Sequence, residues 1–338
     1  MARVLVTGGA GYIGSHAVRA LVAAGHTVAV LDDLSAGHAA AVPAGVPLVE
    51  ASIHDRAAVT GALRTLGIDA VMHFAAWLSV GDSVRNPLGY YENNVVGSLR
   101  LVEAMGACGV TRLVFSSTCA VYGEPADVPI AESAPLAPIN PYGETKLAVE
   151  RLLAHAERAM GLRTVALRYF NAAGADPSGE IGEAHDPEIH LIPLAIRAAT
   201  GGPPLQVFGQ DYPTPDGTCL RDYVHVSDLA EAHVRALAAL EAGSPSAAYN
   251  VGTGQPRSVR EVLDTVGHVV GAPVRWTAAA RRPGDPARLF AAADRVRTEL
   301  GWRPARPDLA TIVADAWRWH ERHPHGYANG SVAGPFGR

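Results

Sequence analysis

RVLVTGGAGYIGSHAVRALVAAGHTVAVLDDL, residues 3–34, decides how the rest of the chain is read. An apolar run leads into three glycines, Gly8, Gly11 and Gly14, spaced three apart. Ile13, Ala17, Ala20, Leu21 and Ala24 then recur at the spacing of an amphipathic helix. A second apolar run closes on Asp32 and Asp33. Strand, glycine turn, helix, strand and acid in that order make a βαβ unit suited to a dinucleotide. Gly8 permits the tight turn off the strand, Gly11 lets backbone approach a pyrophosphate, and Gly14 lets the helix pack close to the sheet. The helix start offers free N–H groups and a positive dipole end to the anion. Asp32 is placed to accept the adenosine ribose hydroxyls and to repel a 2′-phosphate, which favours NAD over NADP.

Outward from this unit, TVAVLD, VPLVEAS, AVMHFAA, RLVFSST and RTVALRYF alternate with helical stretches. Continuous apolar strands separated by helices predict an α/β fold, a doubly wound parallel sheet covered on both faces. After about residue 171 the texture changes to long Gly/Pro-rich segments, NAAGADPSGEIGEAHDPEIH and GGPPLQVFGQDYPTPDGTCLRDY, loops of the length that carries function. The expected organisation is a NAD-binding Rossmann domain over 1–171 and a smaller, loop-rich domain over 172–338, to which the family resemblance given below assigns the binding of a nucleotide sugar. A helix over 227–242, with Ser227 as its expected cap and Leu229, Ala232, Ala236, Leu237 and Leu240 on one face, is a candidate to pack back on the first domain.

The 338 residues are 48% hydrophobic and 18% charged, which suits a packed core and excludes a disordered chain. A net charge of −5 gives no general affinity for nucleic acid. No stretch approaches the roughly 18 apolar residues of a membrane span, so no membrane partner is expected. The chain opens directly on a strand, without the regions of a signal peptide, and Cys108, Cys119 and Cys219 are too few and too scattered for a disulfide framework. A reducing, cytoplasmic setting is the expectation.

Chemistry enters with FSSTCAVYG and NPYGETKLAVERLL. Asn140 and Pro141 form a helix entry that sets Tyr142 and Lys146 one turn apart on one face. A phenol titrates near 10 and is a weak base at neutral pH, so a neighbouring ammonium and a positive nicotinamide ring are expected to lower it. Thr118 can share the proton with a substrate alcohol. Together these are a proton acceptor beside a hydride acceptor. No metal site is expected: His320, His323 and His325 lack ligand spacing and fit aromatic packing and solvent exposure. Cys119 is expected to be a small buried side chain and not a nucleophile.

These motifs, together with DDLSAGH, HFAA, LRYFNAAGA, HLIPLAI, YNVGTG and RRPGD, resemble the extended short-chain dehydrogenase/reductase family, in its UDP-sugar 4-epimerase branch, over almost the whole length. The resemblance implies a tightly held NAD, a homodimer, and interconversion of UDP-glucose and UDP-galactose through a 4-keto sugar. It implies cofactor contacts from Tyr12, Ile13, Asp33, Leu34, Ser52, Ile53, Phe74, Ala75, Ala76, Asn93, Ser116 and Tyr169. It implies substrate contacts from Asn171, His190, Leu191, Gln206, Val207, Phe208, Arg221, Arg282, Asp285 and Leu289, alongside Thr118. Three positions depart from the family pattern. Ser52 stands where an Asp contacts adenine, Leu78 where many members have Lys, and Leu289 where hexose-restricted members have a bulky Tyr. Leu289 leaves UDP-N-acetylhexosamines open as substrates, and a modified UDP-sugar is an alternative. A 4,6-dehydratase is disfavoured, because Cys119-Ala120 replaces the Asp-Glu pair that chemistry uses. A non-catalytic NAD-binding protein is disfavoured by the intact Tyr142, Lys146 and glycines.

Overall fold

The computed structural model describes residues 1–282 and 285–327. Pro283, Gly284 and residues 328–338 of the expected second domain lie outside the described residues. The strands are β1 (Arg3–Thr7), β2 (Thr27–Asp32), β3 (Leu48–Glu50), β4 (Ala70–His73), β5 (Arg112–Ser116), β6 (Arg163–Tyr169), β7 (Asn171–Ala173), β8 (Leu205–Phe208), β9 (Leu220–His225), β10 (Ala247–Val251), β11 (Pro256–Ser258), β12 (Trp276–Ala279) and β13 (Arg288–Leu289). Seven of them form one sheet in the order β3-β2-β1-β4-β5-β6-β10, parallel throughout. The strand order runs one way from β1 and the other way from β4. The carboxyl ends of β1 and β4 therefore flank the switch point where open α/β sheets bind ligands.

Alternation along β1 shows how the sheet is covered. Val4 and Val6 join a core with Ala17, Val18 and Leu21 of the Tyr12–Ala23 helix and Leu229, Ala236 and Leu237 of the Val226–Glu241 helix. Leu5 points to the opposite core, with Leu63, Leu101, Met105 and Leu153 from the three helices on that side.

The sheet also draws on the chain beyond residue 171, because β10 and the Val226–Glu241 helix complete it. That helix is not capped by Ser227. β9 runs straight into it, so the cap falls on the last strand residue, and His225 Nδ1 accepts a hydrogen bond from the Ser227 N–H at 3.1 Å. A second sheet, β11-β9-β13 with β7 beside β9, and the β8–β12 ribbon lie over the carboxyl edge of the first. A third core, including Ile192, Ile196, Val207, Val262 and Val313, holds the helices Leu191–Ala199, Val259–Val270 and Leu309–Arg322 together.

Candidate active site

At the cradle the three glycines separate into two kinds. Gly8 has φ +72°, and a Cβ there would lie 2.5 Å from the Ala75 nitrogen; at Gly14 it would lie 2.1 Å from the Gly8 oxygen. Both are demanded by the fold itself. Gly11 has φ −79°, open to any residue, and its Cβ would meet nothing closer than the Gly8 oxygen at 3.4 Å. Room above Gly11 that the protein does not fill fits a ligand approaching backbone. The Tyr12–Ala23 helix starts without a side-chain cap or an acid in its first turn, so its N–H groups suit an anion. These features fit the pyrophosphate of NAD.

Asp32 closes β2 beside the cradle. Its carboxylate is buried and accepts from the Ala10 and Leu34 N–H groups, each at 2.9 Å, while burial pushes its pKa up. Asp33 is exposed and accepts from the Ser35 N–H, and Leu34 takes φ +58° to complete the turn. Ser52 Oγ accepts from the His54 N–H at 3.3 Å, and Ile53 packs into the core under Gly97. The N–H groups of Phe74 and Ala75 both donate to the Thr7 carbonyl, at 2.8 and 3.1 Å, with half-buried Ala76 next in line. Ile13 packs on the first core, and the Tyr12 hydroxyl donates to the Gly174 carbonyl at 2.7 Å, tying the cradle to the upper layer.

The Pro141–Met160 helix begins as its sequence foretells. Asn140 accepts from the Gly143 N–H at 2.9 Å, and Pro141 occupies the first turn. Tyr142 and Lys146 are both buried, 8% and 3% exposed. Lys146 Nζ donates to the Ser116 carbonyl at 2.9 Å and lies 6.0 Å from the Tyr142 ring centre. Ser116 Oγ shares a hydrogen bond with the Tyr169 hydroxyl at 2.8 Å. Ser116, Thr118, Tyr142, Lys146 and Tyr169 therefore come together at the ends of β5 and β6.

The proton balance differs from the sequence expectation. Burial pushes the Tyr142 phenol well above its usual range, and the hydrogen bond with Thr118 only offsets this in part. Burial also lowers Lys146 to about 7. The amine thus gives up much of its own charge at neutral pH and does not by itself bring the phenol down.

Among the residues expected to contact a substrate, Asn171 of β7 donates to the Asp222 carbonyl at 3.1 Å, and Arg221 of β9 pairs with the Asp285 carboxylate. Leu289 of β13 stands opposite Arg221 in register, and the Arg282 guanidinium lies 3.9 Å over the Phe208 ring. Arg221 acts electrostatically on Cys119, the neighbour of Thr118. Cys119 itself is pushed up to about 12 by burial, as befits an inert thiol. On β8, exposed Gln206 and half-buried Phe208 share one face, and Val207 turns to the third core. Leu191 opens the next helix. His190, just before it, lies 2.6 Å from Glu183 and 3.2 Å from Glu188; burial lowers its pKa, but the two carboxylates outweigh that and raise it to about 10.

Sequence reasoning missed Asn94, Glu150 and Glu183. Tyr91–Val96 is a π-helical turn, a form frequent at functional sites. It carries Asn93, which donates to Asn94, and buried Asn94, which takes the Trp77 N–H at 2.8 Å and donates to Thr145 at 3.1 Å. The signal was the Asn pair, poor helix formers inside an apolar run. Glu150, one turn beyond Lys146, binds Arg168 through both oxygens and accepts from Ser117. Among the terminal histidines, His323 stacks on Trp319 at 4.0 Å.

The profile described as "NAD dependent epimerase/dehydratase family" matches residues 4–252. The UDP-glucose 4-epimerase of Azospirillum brasilense is 54% identical over 318 residues, 94% of this chain and 91% of that protein. The UDP-glucose 4-epimerase of Halalkalibacterium halodurans is 50% identical over 326 residues, 96% and 97% of the two chains. The crystal structure of UDP-glucose 4-epimerase from Brucella ovis in complex with NAD superposes with a TM-score of 0.92 at 47% identity, covering 94% of this chain and 98% of that one.

Proposed function

The chain belongs to the NAD dependent epimerase/dehydratase family, and from that premise we propose that it is a UDP-glucose 4-epimerase that keeps NAD as a resident cofactor. The observation that carries this reading is the buried cluster of Thr118, Tyr142 and Lys146 at the carboxyl edge of a parallel sheet whose Gly11 leaves room for a pyrophosphate. Gly8, Gly11, Gly14 and Asp32 would hold the dinucleotide, with the neighbouring contacts named above. NAD bound there supplies the hydride acceptor and donor that inversion through a 4-keto sugar requires, and a positive ring charge in its oxidised form.

Tyr142 takes the proton of the sugar C4 hydroxyl and returns it. Thr118, hydrogen-bonded to the phenol, relays it. Lys146, anchored on the Ser116 carbonyl and titrating near neutrality, stabilises the phenolate when protonated. Arg221 and Arg282 suit the diphosphate through their forked donors, and Asn171, Gln206 and Phe208 suit the sugar and nucleotide. Half-buried Leu289 is smaller than an aromatic ring, which supports acceptance of UDP-N-acetylglucosamine as well. The family resemblance supports a cytoplasmic homodimer acting in galactose metabolism.

The test is NMR of the purified protein with UDP-galactose, and in parallel UDP-N-acetylglucosamine, without added NAD. Conversion of UDP-galactose to UDP-glucose, with NAD released on denaturation, is expected. No conversion of either sugar, with NAD added or not, overturns the reading.

A further inference from the structure

Glu183, His185, Glu188 and His190 occupy one loop between β7 and the Leu191–Ala199 helix, and their donor atoms converge. Glu183 Oε1 lies 3.0 Å from His185 Nδ1 and 2.6 Å from His190 Nδ1. Glu188 Oε1 lies 3.2 Å from His190 Nδ1, and its Oε2 lies 3.9 Å from His185 Nδ1. One donor from each residue falls within 4.8 Å of all the others. Tetrahedral zinc with bonds of about 2.0–2.2 Å sets its ligands about 3.3–3.6 Å apart, inside the range found.

Charge points the same way. The side chains of Glu183 and Glu188 are 4% and 10% exposed. Among the described residues neither forms an ion pair with a lysine or arginine, so one buried and one half-buried carboxylate face two imidazoles. A His190 imidazolium offsets one of these two negative charges, and a divalent ion in its proton's place offsets both. Glu188 Oε1 already accepts from the N–H groups of Ile189 and His190, both at 2.8 Å, which leaves Oε2 turned toward His185. The loop backbone is fixed from outside: Trp319 Nε1 donates to the Glu183 carbonyl at 2.9 Å, and His38 Nε2 lies 2.8 Å from the Ala184 carbonyl. A cavity of about 500 Å³, lined by Glu183, His185 and Glu188 together with His38 and His320, gives an ion access to three of the four donors.

We propose that Glu183, His185, Glu188 and His190 bind a divalent transition-metal ion, zinc foremost, as a structural site. Two imidazoles and two carboxylates suit zinc in both hardness and number, and four protein ligands leave no open position for catalysis. The ion clamps this loop to the start of the Leu191–Ala199 helix. These residues are not the terminal histidines that stood out in the sequence. The proposal needs neither NAD nor a sugar, so it stands or falls apart from the epimerase reading.

The experiment strips the full-length protein with a chelator and titrates it with zinc chloride alone, reading stoichiometry by elemental analysis and affinity by calorimetry. Wild type is expected to take one zinc per chain. His185→Ala and Glu188→Gln should each lose at least about 100-fold in affinity, the upper end of what loss of an outer-shell partner costs. His320→Gln, on the cavity wall but outside the quartet, should keep the zinc. Zinc should raise the melting temperature of wild type and not of the two ligand variants. Wild type that holds no more zinc than His185→Ala overturns the site and leaves a hydrogen-bonded carboxylate–imidazolium cluster. Should the variants fail to fold, cobalt(II) in wild type decides. A tetrahedral spectrum without a thiolate band supports the quartet, and a thiolate band assigns the metal to cysteine and overturns it.

Discussion

Lys146 and Arg168 are two buried cations within one neighbourhood, and the fold treats them oppositely. Arg168 meets Glu150 through two nitrogens and both carboxylate oxygens, and also reaches the Tyr122 hydroxyl at 3.0 Å. Burial alone would lower it, but Glu150 outweighs burial and keeps its charge secure. Among the described residues Lys146 has no carboxylate partner; its amine donates to the Ser116 carbonyl and lies over the Phe115 and Tyr142 rings, and burial brings it to about 7. Glu150 sits one turn from Lys146 on the same helix, close in sequence to pair with it, yet it is spent on Arg168. The difference teaches where chemistry is kept. A paired charge locks the core, and an unpaired one stays free to gain and lose a proton.

Four changes break or sharpen this contrast. Tyr142→Phe removes the group that the amine serves; kcat should fall by about 10²- to 10⁴-fold with NAD still bound. Turnover near wild type in that variant would detach the cluster from catalysis. Arg168→Met strands Glu150 in the core and should cost about 3–5 kcal/mol in urea denaturation, most of it regained when Glu150→Leu is added. A loss below about 1 kcal/mol in the single variant would mean the pair does not lock the core.

The third change tests the unpaired charge. The Lys146 pKa falls from 10.5 unfolded to about 7 folded, so between those values the unfolded chain binds more protons and stability rises with pH. Lys146→Met, measured without cofactor, should exceed wild type by a margin on the order of 4 kcal/mol near pH 7 that shrinks toward zero by about pH 10.5. A margin that does not change with pH would show that the amine is not depressed. The smallest effect belongs to the far wall: Leu289→Gly should shift the ratio of UDP-N-acetylglucosamine to UDP-galactose turnover by about 10-fold or more in favour of the acetylated sugar. An unchanged ratio would remove Leu289 from specificity.

The first sheet was legible because its signals are local. A glycine turn, an apolar run and a helix stripe each declare themselves within a dozen residues, and β1 to β6 stand where their runs are. The seventh strand was harder, since its place depends on packing against residues far back in the chain, whereas the stripe over 227–242 already marked a helix that could pack back on the first domain. Ser227 misled because a serine before an apolar stripe is a good cap by itself, while strand β9 running into the helix moved the cap to His225. Tyr142 and Lys146 were legible as a pair. Their proton affinities were not, because burial is a property of the assembled core. Glu150 and Glu183 were missed for the same reason: a carboxylate in sequence reads as surface until its partners are in place.

The parallel sheet is finished by a strand that is made late. Until residue 251 has emerged during synthesis, β6 is an edge with unpaired backbone groups, and the face that receives the Val226–Glu241 helix remains bare. A fragment ending at residue 171 would therefore carry every residue proposed to hold the cofactor and still lack a closed flank, leaving it prone to recruit a foreign strand. The cradle is encoded early, but its folding waits for the polypeptide to return.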